Sequence, residues 1–233
     1  MSVIHTDCLT GLRMFPTAFF DSVVCDPPYG LKFMGRKWDY EVPTVEEWSE
    51  VLRVLKPGGH MVAFGGTRTY HRLVVGIEDA GFEIRDQIGW VFGSGFPKSH
   101  NGEWGGTALK PAWEPICMAR KPLEGTVEAN WREHGTGALA IDACRVETSD
   151  DLNGGAYSGG AKDLSMATSY ATGVNAGDFV QPAGRWPANV IHDGSDEVLA
   201  AFPSAPGQMA KASTSDTQRA GQNTYGNMVR GSD

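Results

Sequence analysis

Residues 21–29 read DSVVCDPPY, and this stretch decides the fold. The β-branched residues within Asp21–Cys25 are typical of a buried strand. That strand has to end at the two prolines after Asp26, because proline has no N–H to donate to a sheet ladder. In open α/β sheets, ligands bind beyond the carboxyl ends of the strands, which is where Asp26 and Tyr29 fall. The stretch therefore predicts a buried strand with a binding site at its end.

Helix and strand patterns alternate around this stretch. The predicted elements are an extended start at Val3–His5, helices at Cys8–Phe15, Val45–Leu55 and Thr67–Ala80, and strands at His60–Phe64, Phe82–Phe92 and Pro115–Ala119. The run Lys56-Pro57-Gly58-Gly59 is expected to stop the second helix. This order predicts an α/β fold with a parallel, doubly wound sheet, in which the last two strands can form an antiparallel pair at one edge.

Charge and composition change near residue 123. The chain has 233 residues and a formal net charge of −8. Residues 1–123 hold 13 basic and 14 acidic side chains, a net of −1, whereas residues 124–233 hold 7 and 14, a net of −7. Residues 150–173 are rich in Gly, Ser, Ala and Thr and cannot bury enough apolar surface to offset their ordering entropy. We therefore divide the chain into an α/β region, 1–123, and a partly irregular insert region, 124–233.

The composition also excludes several classes of protein. No apolar run approaches the roughly 20 residues of a membrane span. The N-terminus, MSVIHTDCLTG, lacks the basic start and apolar stretch of a secretory signal. The four cysteines form no CxxC pair, which argues against a zinc site or a disulfide scaffold. We expect a cytoplasmic protein without a metal or a membrane partner. An acidic protein is also not a first candidate for binding nucleic acid, so that class needs support from motifs.

The turn Asp26-Pro27-Pro28-Tyr29 carries the clearest chemistry. Its prolines remove two backbone donors and fix φ, so the turn presents acceptors, namely the Asp26 carboxylate and neighbouring carbonyls. The Tyr29 ring adds a flat stacking face. Two acceptors beside a ring suit a planar substrate with an NH₂ group, such as a nucleobase, which has to be flipped out of a duplex to be reached. A plain strand-ending turn could have the same sequence, but the Gly-containing loop at Gly30–Asp39 favours the functional interpretation.

Around this turn the chain resembles the S-adenosylmethionine-dependent DNA amino-methyltransferases, especially the adenine enzymes of bacteria and phages. The matching stretches are IHTDCLTGL, DSVVCDPPYGLKFMGRKWD, VLKPGGHMVAFGG, LKPAWEPICMARKPL and GRWPANVIHDGS, from residue 4 to about 195. The resemblance implies a Rossmann-like methyltransferase sheet, S-adenosyl-L-methionine as cofactor, and double-stranded DNA with a flipped base as partner. By that resemblance, Asp26, Pro27, Pro28 and Tyr29 form the catalytic set that holds and stacks the base. DPPY rather than SPPY favours adenine, with the cytosine amino group as the alternative.

Two further sets of residues follow. By the resemblance, Asp7 matches the acidic position near the cofactor's adenosine, with Cys8 beside it, although Asp7 also stands where the N-cap of the first helix is expected. The DNA-binding set in the loop after the turn is Lys32, Arg36, Lys37 and Trp38. Its cations would contact phosphate, and its indole would insert beside the flipped base. The alternative is a solvated loop whose indole packs on the core.

The resemblance also implies that part of the family's fold is missing from the chain. An FxGxG turn binds the cofactor in that family, and neither Gly65-Gly66 nor Gly93–Phe96 matches it. Only 25 residues precede the turn, which fits the permuted family order, with a target-recognition insert at 124–233 and the cofactor loop after it. We therefore expect an incomplete sheet with DSVVC as an exposed edge. The chain would then be a fragment, or half of a split enzyme completed by a second chain.

Two other classes stay open. A methyltransferase of other planar amines, on RNA or on a protein glutamine, could use a similar turn, but in those families the cofactor loop usually comes first. A non-catalytic DNA-binding remnant would keep the base pocket without the cofactor half. The recognition sequence, the oligomeric state and the existence of a restriction partner do not follow from the sequence.

Overall fold

The computed structural model of the chain describes residues 3–32, 35–96, 99–148 and 182–201. The helices are α1 (Cys8–Arg13), α2 (Val45–Val54), α3 (Tyr70–Asp79), α4 (Val127–His134) and α5 (Asp196–Ala201). The strands are β1 (Phe20–Cys25), β2 (Leu55–Phe64), β3 (Glu83–Val91), β4 (Trp113–Arg120) and β5 (Val190–His192). Within the described ranges, no helix combines the length and apolar character that crossing a bilayer requires.

The five strands form one sheet in the order β1-β2-β4-β3-β5. β1 pairs with β2, and β3 with β5, in parallel, whereas β4 runs antiparallel to both β2 and β3. The predicted α/β class is therefore confirmed. The predicted antiparallel pair also forms, but its expected position at one edge is wrong. β4 inserts between β2 and β3, and the short strand β5 covers the outer side of β3.

The boundary between α2 and β2 differs from the prediction. α2 starts at a capping box, in which the Thr44 hydroxyl accepts from the Glu47 N–H and the Glu47 carboxylate accepts from the Thr44 N–H. The run Lys56–Gly59, expected as a stop signal, lies inside β2. Gly58 has φ +73°, and a Cβ added to it would lie 2.9 Å from the Gly137 Cα. Glycine therefore lets the start of β2 pack against the segment after α4.

The core lies on one face of the sheet, under α2 and α3. The two helices contribute apolar side chains at helical spacing, as an amphipathic pattern predicts. The buried cluster consists of Trp48, Val51, Leu55, Met61, Ala63, Leu73, Ile77, Phe82, Cys117 and Ala119. The packed face therefore fixes the strands whose carboxyl ends carry the predicted site residues.

β1 is an edge strand of the sheet that the described residues form, as the sequence predicts. Successive side chains of a strand point to opposite faces. Val23 packs against the core cluster, whereas Val24 is 73% exposed. No residue of β1 is fully buried, so the predicted burial of this strand is wrong.

α4 packs at the amino end of β2. The Asn130 amide is buried and donates to the Pro57 carbonyl at 3.0 Å and to the Thr136 carbonyl at 2.9 Å. A buried amide satisfied by two carbonyls is costly to move, because separating it from them leaves polar groups without partners. α4 therefore lies at the amino ends of the parallel strands β1 and β2, away from the carboxyl end of β1.

The chain divides into two compact units. The first comprises residues 1–145 and 186–203, and the second comprises residues 146–185 and 204–233. In the second unit, the backbones of Val146 and Arg185 exchange two hydrogen bonds of 3.0 and 2.7 Å. The Gly/Ser-rich run at 150–173 lies outside the described residues. The assignment of 124–233 to a recognition region stays a prediction.

Candidate active site

A pocket of about 920 Å³ opens at the carboxyl end of β1. Its walls come from α1, β1, the segment before α2 and the first turns of α2. Residues from all three predicted sets line it, namely Asp7 and Cys8, then Asp26, Pro27 and Pro28, and finally Lys37 and Trp38. The structure therefore brings the predicted cofactor set and most of the catalytic set together, with half of the DNA-binding set.

Most of the pocket wall is apolar. The apolar and aromatic lining includes Ile4, Leu12, Phe15, Phe20, Val23, Val42, Trp48 and Val51. Small-molecule sites commonly have this character, with a few polar groups that fix orientation and a volume of roughly 300–1,000 Å³. Across the described residues, no group of three or more His, Cys, Asp or Glu side chains is arranged to hold a metal ion.

A buried carboxylate outside the predicted motif shapes the turn. Asp39 is 3% exposed, and its Oδ1 accepts from the Tyr29 N–H at 2.8 Å and from the Gly30 N–H at 3.0 Å. Its carbonyl accepts from the Lys32 N–H at 2.8 Å, which closes the loop. Pro27 and Pro28 have no backbone N–H, and the N–H groups of Tyr29 and Gly30 donate to Asp39. Residues 27–30 therefore offer no backbone donor to a ligand.

Asp39 is the main site residue that sequence reasoning missed. Its role depends on the closure of a loop that returns to the turn ten residues after Tyr29. The available signal was an acidic residue directly after Trp38, at the end of a Gly-containing loop. A buried loop amide needs an acceptor, and a short acidic side chain in the same loop is the natural supplier.

Tyr29 is also held from the side of α3. The Thr69 hydroxyl donates to the Tyr29 carbonyl at 2.6 Å. A Cβ added to Gly66 would lie 3.2 Å from the Tyr29 Cβ and Cδ2, so the glycine turn after β2 packs on the tyrosine. Burial, then hydrogen bonding with Asp26 and the charge of Glu114, raises the pKa of Tyr29, which keeps its hydroxyl protonated. Tyr29 does not line the 920 Å³ pocket, so its ring lies on another side of the turn.

Glu114 of β4 lies at the same edge of the sheet. Because β4 runs antiparallel to β2, the start of β4 stands beside the carboxyl end of β2, where the Gly65 N–H donates to the Pro115 carbonyl at 2.9 Å. Burial, and then the charge of Asp26, raises the pKa of Glu114. Trp113 beside it is 44% exposed. The LKPAWEP stretch has no predicted role, but it adds a second carboxyl group near Asp26.

Asp7 and Cys8 stand at the start of α1. The Asp7 carboxylate accepts from the Thr10 N–H at 2.9 Å, and hydrogen bonding to Thr10 lowers the pKa of Asp7. The expected N-cap is therefore confirmed. The Cys8 thiol donates to the Glu47 carboxylate at 3.3 Å, and burial, then that glutamate, raises the pKa of Cys8. Both residues also line the pocket, and their binding of a cofactor stays a prediction.

The basic loop after the turn divides between the pocket and its surroundings. Trp38 is 62% exposed and lines the pocket with Lys37, so the alternative of an indole packed in the core is wrong. The Lys32 Nζ lies 5.6 Å from the centroid of the Tyr40 ring, within cation–π range. Arg36 is the exposed N-cap of a 3-10 turn, and neither it nor Lys32 lines the pocket. Contact of this set with DNA stays a prediction.

Fold and site together define an α/β protein with a hydrogen-bond-accepting turn between a large apolar pocket and a tyrosine. Comparison with known protein families identifies one family within this class. The model of the DNA methylase family matches residues 20–159, more than half of the chain. The chain belongs to the DNA methylase family.

The chain is also similar to individual proteins, and each match covers only part of both chains. The chain is 32% identical over 114 residues to the type II methyltransferase M.HindIII of Haemophilus influenzae, covering 40% of this chain and 37% of that protein. It is 31% identical over 87 residues to YubD of Escherichia coli (strain K12), covering 35% and 38%. The crystal structure of M1.HpyAVI matches with a TM-score of 0.38 and 22% identity, over 51% of this chain and 54% of that chain. The chain thus spans less than two fifths of the length of these two curated relatives.

Proposed function

We propose that the chain carries the target-base part of a site-specific DNA methyltransferase that methylates the exocyclic amino group of adenine, with S-adenosyl-L-methionine as methyl donor. The observation that carries the proposal is the position of Asp26. It lines the 920 Å³ pocket, and it also interacts with Tyr29 and Glu114, which do not line that pocket. A methyl donor in the pocket and a base beside Tyr29 would therefore both be adjacent to Asp26.

The turn would act by positioning and electrostatics. The Asp26 carboxylate and the Pro27 carbonyl accept the two amino hydrogens, which directs the nitrogen lone pair toward the pocket. The same carboxylate stabilises the positive charge that develops on the amine nitrogen, and Tyr29 stacks on the base. Bound S-adenosyl-L-methionine would supply an electrophilic methyl group.

The pocket fits part of a cofactor site. Its volume and apolar wall suit the adenosine of S-adenosyl-L-methionine, and Asp7 and Cys8 supply polar groups at the start of α1. We attribute the rest of the site to a further segment or a second chain that pairs with β1 along the edge where the described residues place no strand. The edge position of β1 in the sheet of the described residues and the partial coverage of the relatives support this assignment.

The DNA would be bound as a duplex with the target base flipped out. Lys32, Arg36 and Lys37 supply cations for phosphate, and the exposed Trp38 stands at the pocket, where an aromatic ring can stack beside a base. The DPPY form of the turn favours adenine. The cytosine amino group is the alternative, because cytosine presents a similar amine beside a ring nitrogen.

Substitution of Asp26 tests the proposal. Radioactive methyl transfer from S-adenosyl-L-methionine to unmethylated DNA is measured with the wild-type chain and any completing partner, and then with Asp26→Ala. We expect a loss of at least about 100-fold, the scale seen when one electrostatic contact to a transition state is removed, with DNA binding retained. Asp21→Ala is the matched control, because that aspartate lies in β1, five residues before Asp26, and pairs with Lys56 at 2.6 Å instead of lining the pocket. An Asp26→Ala rate near that of the wild type would refute the assignment of the site.

Calorimetry tests whether the chain binds the cofactor without a completing partner. We expect no micromolar binding of S-adenosyl-L-methionine by the isolated 233-residue chain, because under this proposal a further segment or chain supplies the rest of the cofactor site. Micromolar binding without a partner would contradict that part of the proposal. DNA binding by a chain that never regains cofactor binding with any partner would instead support the non-catalytic remnant.

A further inference from the structure

Two arginines and a histidine lie beside the Asp26 turn, around the start of α3. Arg68, His71 and Arg72 are all exposed. None of the ion pairs among the described residues involves them. Six other described arginines differ, because ion pairs with carboxylates hold Arg13, Arg53, Arg85, Arg120, Arg132 and Arg145. The cations at α3 are therefore available to an external anion.

The structure connects this group directly to the turn. Thr69 follows Arg68 in the chain, and its hydroxyl donates to the Tyr29 carbonyl at 2.6 Å. His71 and Arg72 line a groove of about 500 Å³ together with Gly30, the residue after Tyr29. The cations thus stand next to the residues that would hold the base.

The groove adjoins the candidate active site, because the segment from Tyr40 to Thr44 lines both cavities. Tyr40 lines both the groove and the 920 Å³ pocket, and the Lys32 Nζ lies 5.6 Å from the centroid of its ring. Lys32 and Arg72 thus both lie near Tyr40, one against its ring and the other in the groove that it lines. Two carboxylates, Glu41 and Asp79, also line the groove. Asp79 is seven residues beyond Arg72, about two helical turns along α3, which leaves the first turn of the helix as the cationic end.

We propose that Arg68 and Arg72, with His71 between them, bind DNA phosphates beside the flipped base. This rests on the proposed function. A chain with a net charge of −8 needs unpaired cations where it meets a polyanion, because duplex DNA carries about one negative charge per 1.7 Å of axis. Such contacts fix the register of the duplex over the Asp26 turn without reading its sequence.

The test measures the salt dependence of DNA binding, which requires neither the recognition sequence nor the cofactor. Anisotropy of a labelled 30-base-pair duplex of arbitrary sequence is titrated with the full chain at several salt concentrations. The double variant Arg68→Gln/Arg72→Gln keeps the side-chain stems and removes two charges. The matched control, Arg85→Gln/Arg132→Gln, also removes two charges, one from the amino end of β3 and one from α4. Both positions lie at the end of the sheet away from the Asp26 turn. Melting temperatures of both variants check that they fold.

Each lost phosphate contact should reduce the slope of log K against log salt by about 0.9, so the double variant should lose about 1.8. At 0.1 M salt, the same relation gives a loss of affinity of about 60-fold, whereas the control should retain the wild-type slope. A wild-type slope in the α3 variant, or an equal change in both variants, would overturn the proposal. If the wild-type chain itself shows no salt-dependent binding, the DNA partner of the proposed function fails, and this inference fails with it.

Discussion

Asp39→Ala should destabilise the protein strongly, because it removes the buried carboxylate that holds the Tyr29 and Gly30 amides at 2.8 and 3.0 Å. Hydrogen bonds to charged groups contribute about 1.5–3 kcal/mol each. Tyr29 and Gly30 are only half-buried, so water can replace part of the loss, and the lower end of the range applies. We therefore expect the free energy of unfolding to fall by about 3 kcal/mol, which lowers Tm by about 6–12 °C for a chain of this size.

Urea unfolding followed by tryptophan fluorescence measures this change. Asp39→Asn keeps one acceptor oxygen without its charge, so we expect about half of the loss. Asp79→Ala removes an exposed carboxylate at the end of α3 and should stay within about 0.5 kcal/mol of the wild type. Amide hydrogen exchange adds a local readout, since the Tyr29 and Gly30 amides should exchange faster in Asp39→Ala. A loss of less than about 0.5 kcal/mol with unchanged exchange would show that Asp39 does not hold the turn.

Two further predictions concern the surroundings of the turn. Gly66→Ala should cost about 1–3 kcal/mol in urea unfolding, because its Cβ would press on Tyr29 at 3.2 Å, whereas Gly89→Ala meets Trp113 at an ordinary 3.5 Å and should cost less. Burial, and then the charge of Asp26, raises the pKa of Cys25 to about 12, so its thiol should react with iodoacetamide at pH 8 at least about tenfold more slowly than the exposed Cys144. The folded pKa of Cys25 lies above its unfolded value, so its contribution to stability is present below about pH 8.5 and is lost as the pH rises toward 12. Equal alkylation rates, or a stability that does not fall across that alkaline range, would contradict this assignment.

Local patterns predicted the elements that depend on local chemistry. The β-branched run and the prolines after Asp26 placed β1 and its end correctly, and helical spacing placed α2 and α3 to within a few residues. The edge position of β1 also followed from the sequence, through the expectation of an incomplete sheet. These features can be predicted from residues that are close in the chain, or from a comparison of the chain with a known fold.

The remaining features depend on contacts between distant residues. β4 takes its place between β2 and β3 through pairings such as Phe64 with Ile116, which local periodicity does not encode. β5 has three residues and is fixed by pairing with β3 about 100 residues earlier in the chain. Asp39 acts through a closed loop, and Arg72 comes near the turn because it lines the same groove as Gly30. Their residue types were visible in the sequence, but their distances from the turn were not.

The chemistry of the turn follows from where its donors go. A site that recognises an amine has to offer acceptors, and a free backbone N–H pointing at the amine would compete with them. Pro27 and Pro28 have no N–H, and Asp39 accepts those of Tyr29 and Gly30. The Asp26 carboxylate therefore stands on a turn whose backbone donors are absent or satisfied, held by Thr69 on one side and by Asp39 on the other. Such a turn favours a substrate that donates two hydrogens, and its rigidity means that little reorganisation is needed when the amine arrives.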